Sequence, residues 1–134
     1  MNDSASWPVG KITWTDLTVP NADVVRDFYS AVVGWRAEPV DMGGYADYGM
    51  LPPDAQGAAA GICHARGVNE GIPGQWLPYI HVADLDESLR RCRELGGEIL
   101  HGPRDMGSFG QFCVIRDPAG ACAGLMGPPR PKTP

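Results

Sequence analysis

A chain of 134 residues has the length of one compact domain and can bury enough surface to fold without a disulfide or metal staple. Its 18 glycines and 13 prolines imply many turns and short strands and exclude a helical bundle. Eleven basic against 16 acidic residues leave a net charge of −5, which argues against nucleic acid as a partner, because a phosphate backbone needs a basic surface.

Residues 1–9 read as a flexible end, polar and interrupted by Pro8, unlike a secretory signal. Residues 12–19 (ITWTDLTV) alternate with β-branched and aromatic content, the pattern of a strand. Asn21 is an N-cap type of residue, and Val25, Phe28, Tyr29 and Val32 follow at helical spacing. Gly34 suits the left-handed position that ends a helix. Residues 35–40, 44–51 and 57–64 then read as three short strands separated by Gly and Pro. A further strand covers 77–83. Asp84 with Glu87 forms a capping box, with Asp for the usual Ser or Thr, and Leu85, Leu89 and Cys92 line one helical face. Gly96-Gly97 stops that helix. Strands follow near 98–101, 110–116 and 121–126, and the Pro-rich segment 128–134 is a second flexible end.

The order strand, helix, three strands thus occurs twice, and one offset of 63 residues relates the copies. It pairs Val19 with Val82, Asn21 with Asp84, Asp23 with Asp86 and Gly44 with Gly107. It also lays DAQGAAAGI (54–62) on DPAGACAGL (117–125). The expected fold is α+β: a single domain over 1–134 containing tandem βαβββ modules at 11–66 and 76–127.

Side chains alternate across a strand. Leu17 and Val19 are the apolar partners for the first helix, which leaves Trp14, Asp16 and Thr18 on the opposite face. The offset places Leu77, Tyr79 and His81 on the corresponding face of the second copy, with Ile80 and Val82 toward its helix. Gly61 and Gly124 leave room beside them, as a sheet lining a cavity requires. Trp76, Tyr48 and Phe109 join Trp14 and Tyr79 as candidate walls of a clamp for a planar ligand, although each aromatic taken singly reads as core. Asp16 is either a solvated backbone partner or a polar anchor and general base, and an Asp16–His81 pair could move a proton without a metal.

Cys63, Cys92, Cys113 and Cys122 form no C-x-x-C pair and read as reduced thiols of a cytoplasmic protein. The three histidines show no zinc-helix spacing, and no phosphate-binding or nucleophile-elbow motif occurs. No apolar run reaches the roughly 18–20 residues that span a bilayer, so no membrane partner is expected.

Taken together, WTDLTVPNADVVRDFYSAVVGW, YIHVADLDESLRRCRELGGEIL and RDPAGACAGLMG resemble the vicinal oxygen chelate superfamily, which includes glyoxalase I and bleomycin-resistance proteins. The resemblance covers residues 11–127. It implies that each module curls into an incomplete barrel of mixed sheet, that modules pair around a concave cleft, and that the chain forms a homodimer. Metal enzymes of that superfamily commonly carry His or Gln on the first strand and Glu on the last strand of each module. Carried over, those positions are Trp14 and Gly61, then Leu77 and Gly124, and none can ligate a divalent cation. A small slip in that alignment offers Asp16, a single donor. The expectation is therefore a protein without metal or other cofactor, binding an aromatic or hydrophobic metabolite or antibiotic through Trp14, Asp16, Tyr48, Gly61, Trp76, Tyr79, His81, Phe109 and Gly124. The alternative expectation is a metal-free isomerase, cyclase or lyase that uses Asp16 with Tyr79 or His81.

Overall fold

The computed structural model describes residues 7–131. The outer parts of the two expected flexible ends, 1–6 and 132–134, lie outside the described residues. In chain order the elements are β1 (Ile12–Val19), α1 (Ala22–Val33), β2 (Arg36–Asp41), β3 (Ala46–Leu51), β4 (Ala60–His64), β5 (Trp76–His81), α2 (Leu85–Glu94), β6 (Glu98–Asp105), β7 (Gln111–Arg116) and β8 (Cys122–Gly127). This is the doubled βαβββ order. The chain divides into two compact units, one of them Trp14–Leu77 and the other Pro78 onward together with the N-terminal segment through Thr13.

In the first unit the strands lie in the order β2-β3-β4-β1. β1 and β4 are parallel, with Asp16 beside Gly61 and Leu17 beside Ile62, while β2/β3 and β3/β4 are antiparallel. The sheet is mixed because parallel partners need a crossover, which α1 begins. The helix buries Ala22 against Met50 and Ile62, with Val19, Val25, Tyr29, Trp35 and Trp76 packed around them. Asn21 departs from expectation: at φ −111° and ψ 53° its side chain makes no cap hydrogen bond. That backbone lies outside the extended region from which an N-cap side chain reaches forward. Its carbonyl accepts from the Val24 and Val25 amides instead. Gly34 does end α1 in the left-handed conformation, at φ 87°, donating to Ser30 O.

The second unit repeats the pattern as β5-β8-β7-β6. β5 and β8 are parallel with Tyr79 beside Gly124, and the other pairs are antiparallel. α2 packs Leu85 and Leu89 on Cys113 and Leu125, with Ile80, Val82, Ile99 and Ile115 completing the cluster. Here the cap forms: the Asp84 carboxylate accepts from Glu87 N at 3.1 Å. Asp84→Ala lowers stability by about 1 kcal/mol, a typical N-cap loss, measurable as a shifted urea midpoint at unchanged slope.

On the outer side of α2, Glu87 faces Arg90 and Arg91. The Arg90 guanidinium, hydrogen-bonded to it, holds the Glu87 carboxyl down at about 2, against an ordinary 4.5. A carboxyl with a lowered folded-state pKa contributes stability above its unfolded value and loses it as pH falls through the folded value. Thermal midpoints therefore fall between pH 4.5 and pH 2 partly through this group, and Glu87→Gln flattens that stretch of the profile.

Two segments are more ordered than expected. β6 continues past His101 to Asp105, because register shifts on either side of His101 absorb Gly102-Pro103 while pairing with β7 resumes at Arg104. At the N-terminal end, the Trp7 indole donates to Val82 O at 2.8 Å, and its ring centroid lies 4.6 Å from that of His81. Gly10 N donates to His81 O and His81 N to Lys11 O, so this segment runs alongside the end of β5.

Candidate functional site

Each unit has a sheet face turned away from its helix, and on each the same device occurs. In the first unit Leu17 lies beside the helix-packed Ile62, so Asp16 projects from the opposite face, as does Trp14 two residues earlier. Trp14 Nε1 donates to Asp16 Oδ1 at 2.7 Å. The carboxylate leans over Gly61: a Cβ built there would collide with Asp16 Oδ1 and lie 3.4 Å from Trp14 Cζ2.

In the second unit Tyr79 takes the place of Asp16, and Gly124 that of Gly61. The Tyr79 ring stacks on Phe112 with centroids 5.0 Å apart and planes at 25°. A Cβ on Gly124 would stand 2.9 Å from Tyr79 Cδ1 and 3.2 Å from Phe112 Cε1. His101 lies 5.9 Å from the Phe112 ring, and the Arg104 guanidinium carbon 5.3 Å from its centroid. Arg104 Nη1 and His101 Nε2 are 3.1 Å apart. A guanidinium can only donate, so a hydrogen bond between the two has Nε2 as its acceptor. Sequence reasoning missed His101 and Arg104 because it ended β6 at residue 101. Pairing that resumes beyond a Gly-Pro interruption would have pointed to them.

His81 lies at the end of β5, with Nδ1 3.2 Å from Thr13 Oγ1 and the Trp7 ring beside it. Trp76 and Tyr48 belong to the helix side rather than to the open face. Trp76 has the same parity along β5 as the core residue Ile80, and its indole donates to Tyr29 OH at 3.0 Å beside Trp35. Tyr48 pairs with Ile62, so it points toward α1, where its hydroxyl donates to Asp23 at 2.7 Å under Arg26. That bond holds the Asp23 carboxyl below its usual range and pushes the Tyr48 phenol up. Nearby, buried Asp47 accepts from His64 N at 2.8 Å, and His64 Nε2 lies 3.4 Å from Asp23, tying the start of α1 to β3 and β4. Phe109 ends a single 3-10 turn, Gly107–Phe109, and is 74 % exposed.

The resemblance sets four positions against the ligands of the superfamily's metal enzymes, and no side chain at them is a ligand type for a divalent cation. They hold Trp14, Gly61, Leu77 and Gly124, and the space above both glycines is taken by Asp16 and by Tyr79. Among the described residues, no group of three or more His, Cys, Asp or Glu side chains is placed to hold a metal ion. Likewise among the described residues, no helix is long and apolar enough to cross a membrane.

Residues 11–122 match the Glyoxalase/Bleomycin resistance protein/Dioxygenase superfamily. The chain belongs to that superfamily. It is 30 % identical over 119 residues to the putative glyoxylase CFP32 of Mycobacterium tuberculosis (strain CDC 1551 / Oshkosh), a match covering 89 % of this chain and 44 % of that relative. It is 30 % identical over 123 residues to the anthracycline biosynthesis protein DnrV of Streptomyces peucetius, covering 84 % of this chain and 45 % of that protein. The chain thus spans less than half the length of these curated relatives. Among solved structures, hypothetical protein BH1468 from Bacillus halodurans C-125 matches with a TM-score of 0.53 at 13 % identity, over 93 % of this chain and 99 % of that one. A variant of Streptomyces coelicolor methylmalonyl-CoA epimerase in complex with 2-nitronate-propionyl-CoA matches with a TM-score of 0.50 at 17 % identity, over 94 % and 99 %. At such identities the likeness speaks to the fold alone.

Proposed function

We propose that this chain binds an aromatic or otherwise hydrophobic small molecule, and that it does so without a metal or other cofactor. The observation that supports this is the repeated device on the open faces. Where the resemblance places the metal ligands of the superfamily's metal enzymes, this chain carries Trp14 and Gly61, then Leu77 and Gly124, and Asp16 and Tyr79, two residues beyond those first-strand positions, lie over the two glycines. In the first unit this leaves one half-buried carboxylate fixed by an indole N–H beside the ring of that indole, a combination suited to a mostly apolar ligand with a single polar handle. The anthracycline biosynthesis relative makes anthracyclines the first compounds to try.

Titration of tryptophan fluorescence with such compounds gives saturable quenching that a chelator leaves unchanged, and mass spectrometry recovers the ligand intact. Asp16→Asn weakens binding about tenfold, the loss of one charge-assisted hydrogen bond. Stoichiometric zinc, nickel or iron in the purified protein, with binding abolished by the chelator, defeats this reading.

The fixed Asp16 carboxylate also favours a second reading, a metal-free isomerase, cyclase or lyase in which Asp16 moves the proton. The same incubation separates the two: a changed ligand whose formation Asp16→Asn abolishes makes the protein an enzyme.

A further inference from the structure

The two modules differ at the seam between helix and sheet. In the first unit three apolar side chains close it: Val25, Tyr29 and Trp35 pack against Ala22, Met50 and Ile62. The Tyr29 and Trp35 ring centroids are 6.0 Å apart, and Trp76 meets both rings. The offset of 63 residues sets Ser88 against Val25 and Cys92 against Tyr29. Trp35 follows the left-handed glycine that ends α1, and the residue after the left-handed Gly96 of the second unit is Gly97. A valine, a phenol ring and an indole ring thus give way to a hydroxymethyl, a thiol and a hydrogen. At this seam the second unit has a cleft of about 390 Å³, and Ser88, Cys92 and Gly97 all line it. Val82, Ile115, Pro118 and Leu125 supply apolar walls. Position 97 cannot fill the cleft from within the chain, because a Cβ there would stand 2.6 Å from Cys92 Sγ and 3.0 Å from Arg116 O.

We propose that this cleft is a second ligand site, on the helix side of the sheet, and that it takes an uncharged planar ring of about the size of an indole. The first copy of the module shows what the seam accommodates, since a phenol and an indole occupy it there. Folded interiors are close-packed, so a hollow of this size between a helix and its sheet is uncommon. Its volume falls at the lower end of the range for small-molecule sites. Apolar walls give water few partners and accept an aromatic molecule. Charge at the rim is already matched within the unit. Glu87 Oε1 lies 3.2 Å from Arg91 Nε, and Asp117 Oδ1 accepts from the Ala119 and Ala121 amides. An entering ion would compete for those groups, whereas a neutral ring leaves them in place. The inference is independent of what the open sheet faces bind.

The test titrates indole itself into the isotope-labelled protein and follows the backbone amide NMR shifts. The expected result is a saturable shift at Ser88, Cys92, Gly97 and Ile115, while the amides of Trp14 and Gly61 report the open face of the first unit separately. Cys92→Phe supplies part of the missing ring and weakens indole binding about tenfold or more, with the amide spectrum away from the cleft unchanged. Should that variant misfold, Ser88→Leu narrows the cleft from another wall and carries the test, weakening indole about fivefold. No saturable shift up to the solubility of indole overturns the proposal. So does a shift centred on Trp14 and Gly61 that leaves Cys92 and Gly97 unmoved, or a shift at the cleft that neither variant weakens.

Discussion

Replacing Phe112 with alanine lowers the unfolding free energy by about 3–5 kcal/mol, the range for a buried phenylalanine truncated in a packed interior. Phe112 is 1 % exposed and lies mid-sheet on β7, paired with Arg104 on β6 and Met126 on β8. Tyr79 stacks on its ring, His101 lies near it, Arg104 covers it, and its Cε1 stands over Gly124. Strands on both sides hold β7, so the backbone cannot close around the lost ring, and the cavity persists. Phe112→Leu refills most of the volume and costs about 1–2 kcal/mol. Urea unfolding of both variants reads the difference. A domain of this size is stable by only about 5–15 kcal/mol in total, so the alanine variant sits near the edge of folding at physiological temperature. Equal midpoints for Phe112→Ala and wild type would show that the ring is not central to the interior of the second unit.

Gly61→Ala is the second large effect, and its cause differs. No positive φ is needed at Gly61, so the backbone accepts alanine. The obstacle is the methyl group, which would enter the space held by Asp16 Oδ1. Asp16 has to move, and the Trp14 indole N–H loses its acceptor. The expected loss is about 2–3 kcal/mol, combining steric displacement with a half-buried donor left unpaired. Because both effects run through Asp16, the changes are not additive. In an Asp16→Ala background the added methyl meets Trp14 Cζ2 at 3.4 Å, an ordinary contact, and Gly61→Ala then costs less than about 1 kcal/mol. A double-mutant cycle measured by chemical denaturation checks the coupling. If Gly61→Ala costs the same with and without Asp16, the carboxylate does not occupy the space over the glycine.

The doubled strand-helix-strand order was legible because it rests on local pattern. ITWTDLTV alternates, Val25 and Tyr29 recur at helical spacing, and Asp84 stands three residues before Glu87. The facing of β1 was legible for the same reason, since Leu17 and Val19 leave Asp16 only the other side. Aromatic bulk alone does not place Trp76: position 76 shares its side of the strand with Ile80 rather than with Tyr79, which sets it on the helix side. The facing of Tyr48 is not legible locally, because its neighbours on β3 are ambiguous until the pairing with Ile62 of β4 fixes its side. Arg104 was hidden by Gly102-Pro103, a pair that ends most strands and here only shifts the register. The hold of Trp7 on Val82 could not be read at all, because nothing local in a polar N-terminal segment reports a hydrogen bond to a carbonyl 75 positions away.

β2 ends the sheet of the first unit, and all six of its residues are exposed. An outermost strand invites a stray strand from another molecule, which is how ordered aggregates begin. Pro39 stands in the middle of it without an N–H to offer, and Arg36, Glu38 and Asp41 surround it with charge of both signs. The bare rim is therefore a poor template for a growing fibril, and the molecule can tolerate crowding there without a covering loop.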